Sequence, residues 1–82
     1  MSNYQKYKNV FCEAFEIEED ILNDLEYQSI TQWDSIGHMT MISLLEDEFD
    51  IMMETDDIID FSSFKKGIET LAKYEVPIDP DD

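Results

Sequence analysis

The residues of this chain that could do chemistry lie in one octapeptide, QWDSIGHM, from Gln32 to Met39. Ser35 could act as a nucleophile, and His38, the one histidine, stands three residues on. A serine nucleophile needs a base within hydrogen-bond reach and a third group to orient that base. On the helix that begins here, His38 falls on the apolar side, and no glycines alternate around Ser35 as in a nucleophile elbow. A packed, hydrogen-bonded histidine at the core edge is the expectation, with no catalytic residue in the chain. Asp34 and Ser35 are both good N-cap residues, so capping alone could explain them. The first turn of a helix also favours an anion. A phosphodiester on Ser35 would sit there at little cost, with the hydroxyl open to a modifying enzyme.

Acids offer a second possible chemistry. Asp56, Asp57 and Asp60 cluster, as do Glu46, Asp47, Glu48 and Asp50. A calcium loop needs alternating oxygen ligands, a glycine at its sixth position and a glutamate at its twelfth, and no segment supplies these. No dedicated metal site is expected. Cys12 is the one cysteine, so an internal disulfide is impossible, which suits a reducing cytoplasm. It falls at the rim of an apolar stripe and reads as a semi-buried small residue.

The elements that must position Ser35 follow from apolar spacing. Tyr4, Tyr7, Val10, Phe11, Ala14 and Phe15 share one face of a helix from about Asn3 to Phe15. From Glu16 to Trp33 the period breaks. Ile17, Ile21, Leu22, Leu25, Tyr27 and Ile30 should pin this long connection to the core, and EEDILNDLE could hold a short helical turn. A second helix should run from Ser35 to Asp50. On a wheel of about 100 degrees per residue, Met41, Ile42, Leu45 and Phe49 form its core side. Ile36, Met39, Thr40, Ser43 and Asp47 form the opposite side, which reads equally as an ordinary exposed face or as a docking stripe. Thr55 should cap a short helix whose Ile58, Ile59 and Phe61 face inward. Ser62 or Ser63 should cap a last helix through about Tyr74. Gly67 inside it points to a close crossing, since glycine there costs about 1 kcal/mol relative to alanine.

The expected architecture is all-α: three longer helices, one short helix and a long first connection. One domain over residues 1–76 and a mobile acidic tail over 77–82 are expected. Twenty-one acids against five bases give a net charge of −16. That weighs against nucleic acid and anionic membranes as partners, and toward proteins with basic surfaces. The first residues, MSNYQKYKNV, contain no apolar core of a signal peptide, and no apolar run approaches membrane-span length. No long apolar seam is left for a partner helix, so a monomer is expected.

On these residues the chain resembles the acyl carrier proteins. DSIGHMTMISLLEDEFDI matches their pattern of Asp-Ser-hydrophobic followed by a helix that ends in acids, Phe and an aliphatic residue. The likeness continues through DDIIDF and SSFKKGIETL and covers residues 4–75, the first helix and connection by layout only. WDSIGH is more similar to stand-alone carriers of specialised bacterial pathways, including sugar or amino-acid modification, than to fatty-acid carriers. The resemblance implies a four-helix carrier fold and no enzymatic activity. It implies 4′-phosphopantetheine on Ser35, with Asp34 in the recognition motif and the cargo held as a thioester on the arm. It implies docking through Ile36 and Met39, with Glu46 and Asp47 further along the same helix. The implied partners are a phosphopantetheinyl transferase and acyl or aminoacyl ligases and acyltransferases with basic docking surfaces. The rival expectation is an unmodified acidic helical interaction domain of the same fold.

Overall fold

The computed structural model describes residues 2–81. The order of elements is α1 (Asn3–Phe15), a 3-10 helix (Glu19–Asp24), α2 (Ser35–Phe49), α3 (Thr55–Asp60) and α4 (Phe64–Ala72). Among the described residues the chain is all-α, with one antiparallel bridge between Glu26 and Ser63. No helix of the described residues is long and apolar enough to cross a membrane.

The stripe of α1 becomes the heart of the core. Ser2 caps the helix by accepting from the Gln5 amide. Tyr7, Val10, Phe11 and Phe15 are all buried on the face that meets α2. Met41, Ile42 and Leu45 answer from α2, and Phe64 and Leu71 from α4. Phe49, expected in the core, is only half-buried against it. The helix that carries it ends one residue early, because Asp50 takes the left-handed conformation and returns its amide to Glu46 O. At the other end of the chain α4 stops at Ala72 rather than Tyr74.

The long connection is tied down by backbone and aromatic contacts. Its acidic stretch forms the 3-10 helix, which packs against α1 and α4. Leu22 and Leu25 are buried, whereas Ile21 and Tyr27 stay partly exposed, at 42% and 37%. The Tyr27 amide donates to Ser62 O, and the Phe64 amide donates to Leu25 O. Past that bridge, Gln28 adopts a left-handed conformation and its amide donates to Trp33 O. This tight loop turns Trp33 fully inward. Burying an indole removes about 200 Å² from water, worth about 5 kcal/mol at 25 cal/mol per Å².

Three expectations are corrected. Ile59 does not face inward but is 71% exposed. A six-residue helix has one narrow inner face, and Ile58 occupies it. Thr55 does not cap α3; it is the first helical residue after Glu54. The start of α3 is held instead by Tyr74, whose hydroxyl accepts from the Glu54 amide and donates to Asp57 Oδ2. The body of the domain also runs past residue 76. Val76 and Ile78 are buried, and Asn3 Nδ2 donates to Pro77 O at 3.1 Å. Apolar side chains at 76 and 78 close the open end of the core beside α1, so the stretch expected as a tail begins as packed chain.

Candidate functional site

Ser35 is the first residue of α2, and Asp34 is its N-cap. Asp34 Oδ1 accepts from the Gly37 amide at 2.8 Å, so the capping bond is made by the acid. Gly37 is required by the same geometry, because a β-carbon there would strike the Gln32 carbonyl. Ser35 is left exposed, and its hydroxyl lies 3.2 Å from the Tyr27 hydroxyl. The backbone ties of the connection therefore place a phenol beside the serine.

His38 is bound on both nitrogens. Trp33 Nε1 donates to His38 Nδ1 at 2.9 Å, and His38 Nε2 meets Ile58 O at 2.8 Å. The imidazole stacks on Trp33 at 6.1 Å and 15°, and Trp33 stacks in turn on Phe15 at 5.3 Å and 27°. No nitrogen remains to take a proton from Ser35. The histidine is a strut between α2 and α3, as its position at the core edge led us to expect.

Between that strut and α3 lies a cleft of about 350 Å³. It is lined by Tyr27, Ser35, His38, Met39, Ile58, Ile59, Phe61 and Ser62. Sequence reasoning missed Tyr27, Ile58, Ile59, Phe61 and Ser62 as site residues. They come from two loops and a short helix, and no periodic signal connects those segments to Ser35.

The candidate docking residues divide. Ile36 is 79% exposed and Met39 is 50% exposed. Thr40, Ser43 and Asp47 continue the exposed line along α2. Glu46 does not join it. It is half-buried, and its Oε2 accepts from the Met53 amide at 2.9 Å, which holds the turn between α2 and α3. Ile59 and Met52, at 71% and 85% exposed, add apolar surface on the α3 side.

Charge is distributed unevenly along the chain. Residues 9–64 contain sixteen acids and no lysine or arginine; the five lysines stand at 6, 8, 65, 66 and 73. Lys8 pairs with Glu19 at 3.1 Å and Lys73 with Asp57 at 2.9 Å. Cys12 is half-buried and free, and burial, with Glu19 and Glu18 nearby, pushes its thiol pKa up. A raised thiol is a poor nucleophile. Among the described residues, no three His, Cys, Asp or Glu side chains converge in a metal-binding arrangement.

No protein-family model matches the chain, and no curated protein matches it either.

Proposed function

We propose that this chain is a carrier of the acyl carrier type, with a four-helix carrier fold, and that Ser35 is its attachment residue. In this reading a partner transferase removes the Ser35 proton. The serine oxygen then displaces the nucleotide half of coenzyme A at phosphorus, leaving 4′-phosphopantetheine as a phosphodiester on Ser35. Once attached, the arm supplies the thiol that holds an acyl or aminoacyl group as a thioester. The chain's own residues present that group. Asp34 shapes the helix start, the amide-rich first turn of α2 faces the phosphodiester charge, and the exposed line from Ile36 to Asp47 offers an address. The acids of α2 and α3, on helices that carry no lysine or arginine of their own, would draw basic partner surfaces in weak, salt-sensitive docking. Cytoplasmic residence and a monomeric state belong to the same reading.

The observation that carries this reading is the division of labour between Asp34 and Ser35. Because the acid makes the capping bond, a capping role does not account for the serine hydroxyl. That weakens the rival, an unmodified interaction domain in which Ser35 is only a cap.

The test is intact mass before and after incubation with coenzyme A and a broad-specificity phosphopantetheinyl transferase. Gain of one arm by the wild type, absent in Ser35→Ala, is the expected result. A folded wild type that gains nothing would overturn the carrier in favour of the interaction domain.

A further inference from the structure

Building on the carrier reading, we propose that Tyr27 belongs to the attachment site: its phenol fixes the Ser35 oxygen before arm transfer and donates to the phosphodiester afterwards. Three observations carry this. The first is contact. The Tyr27 hydroxyl stands 3.2 Å from Ser35 Oγ, eight positions away in sequence. The second is that groups other than Ser35 hold the phenol in place. The Tyr27 amide donates to Ser62 O at 2.9 Å, and the next amide, that of Gln28, donates to Trp33 O at 2.9 Å. The ring stands edge-on to Trp33 at 82° and to His38 at 69°. Trp33 is fully buried and His38 is bonded on both nitrogens, so both surfaces are firm. Tyr27 is nevertheless 37% exposed. A phenol braced at its backbone and ring, with surface left open, is arranged to meet a group that arrives from solvent.

The third observation is electrostatic. A phosphodiester on Ser35 adds negative charge next to Asp34 in a chain of net charge −16. Asp34 already takes the Gly37 amide on Oδ1 and the His38 amide on its carbonyl oxygen. The connection, α2 and α3 contribute no lysine or arginine. The donor that the fold sets against Ser35 is instead a neutral phenol. In the unmodified chain that phenol selects one of the staggered positions open to the serine oxygen. Transfer forms the bond from Ser35 Oγ to phosphorus and breaks the diphosphate bond of coenzyme A. The serine proton goes to a base of the transferase, and the nucleotide half departs with the bonding pair. Tyr27 loses no proton in this step. Its O–H then turns to a charged oxygen on the phosphorus that Ser35 carries. Donation to a charged acceptor is stronger than donation to a hydroxyl. The phenol therefore contributes more to the modified chain than to the unmodified one, and it restrains the root of the arm.

The test compares wild type and Tyr27→Phe, each with and without the arm, loaded to completion from coenzyme A by a broad-specificity transferase. The substitution keeps the ring and deletes the hydroxyl alone, so the fold is retained. Unfolding in urea gives the folding equilibrium constant of all four species, and phosphorus NMR reads the arm in the two modified ones. In the unmodified chain the substitution should lower the constant by less than about five-fold. In the modified chain it should lower it by about three- to ten-fold more. The phosphorus line should shift and narrow as the root of the arm is released. Losses equal in the two states, or a phosphorus line unmoved by the substitution, overturn the proposal and leave Tyr27 a packing residue. A wild type that gains no arm is a separate result, since it removes the carrier reading itself.

Discussion

Trp33 Nε1 donates to His38 Nδ1 across 2.9 Å, and this bond sets the state of the histidine. An indole nitrogen can only donate, so Nδ1 must accept. The ring proton then sits on Nε2 and is donated to Ile58 O at 2.8 Å. One imidazole thereby couples the loop before α2 to the end of α3, beside Ser35.

Loss of that strut should be felt in stability. His38→Ala leaves a buried indole N–H without its acceptor and removes a bond to α3. We expect a loss of about 2 kcal/mol, read from urea unfolding, with a change in Trp33 emission in the folded baseline. A variant as stable as the wild type would show that the two bonds contribute nothing net.

Asp34 and Ser35 should separate cleanly. Asp34→Ala removes the bond to the Gly37 amide and should cost about 1 kcal/mol. Ser35→Ala removes no capping bond and should stay within about 0.5 kcal/mol of wild type. Denaturant midpoints measured side by side would check this, and the reverse order would return the capping role to Ser35.

Tyr27 holds its hydroxyl 3.2 Å from that of Ser35. Its ring packs edge-on against Trp33 and His38, at 6.4 Å and 5.5 Å between centroids. Tyr27→Phe keeps those contacts and deletes only the hydroxyl. On the carrier reading, arm transfer to Ser35 should slow a few-fold, while stability changes by less than about 1 kcal/mol. Transfer rates from a mass-spectrometric time course, alongside urea unfolding, provide the comparison.

Gly67 sits under two rings. A β-carbon there would collide with Phe61 and with the Tyr7 hydroxyl, and both of these residues are fully buried. Gly67→Ala gains about 1 kcal/mol of helix propensity but overpacks the core by about 1–3 kcal/mol. A net lowering of the thermal midpoint is expected.

Asp57 makes one part of stability depend on pH. The Tyr74 hydroxyl, and after it Lys73, hold its carboxyl below the ordinary Asp range. A lowered folded-state value stabilises the native chain above the ordinary range, and this contribution is lost as pH falls through the lowered value. Asp57→Asn should therefore be less stable than wild type near neutrality. The gap should close as pH drops below the ordinary Asp value of about 3.9. Thermal midpoints across that window would show it; a gap independent of pH would assign the effect to packing.

The sequence by itself determined the longer helices and the pair of residues at which α2 opens. The spacing of Tyr7, Val10, Phe11 and Phe15 leaves only one face to bury, and Asp34 and Ser35 are both favoured at a helix start. Such local signals survive because helical period and capping act within a few residues. The Ser35 hydroxyl, the exposure of Ile36 and Met39, and the packed role of His38 were legible for that reason.

Only the tertiary structure decided what surrounds Ser35. Tyr27 reaches the serine because Leu25 and Tyr27 bond to residues 64 and 62, a pairing across nearly forty positions that no local pattern encodes. Ile59 was misplaced because a six-residue helix has too few turns to declare its inner face. The bond from the Met53 amide to Glu46 was not legible either, because its partner is a loop amide seven residues away. The cleft and the aromatic stack beside it are relations between segments, settled by which surfaces pack together.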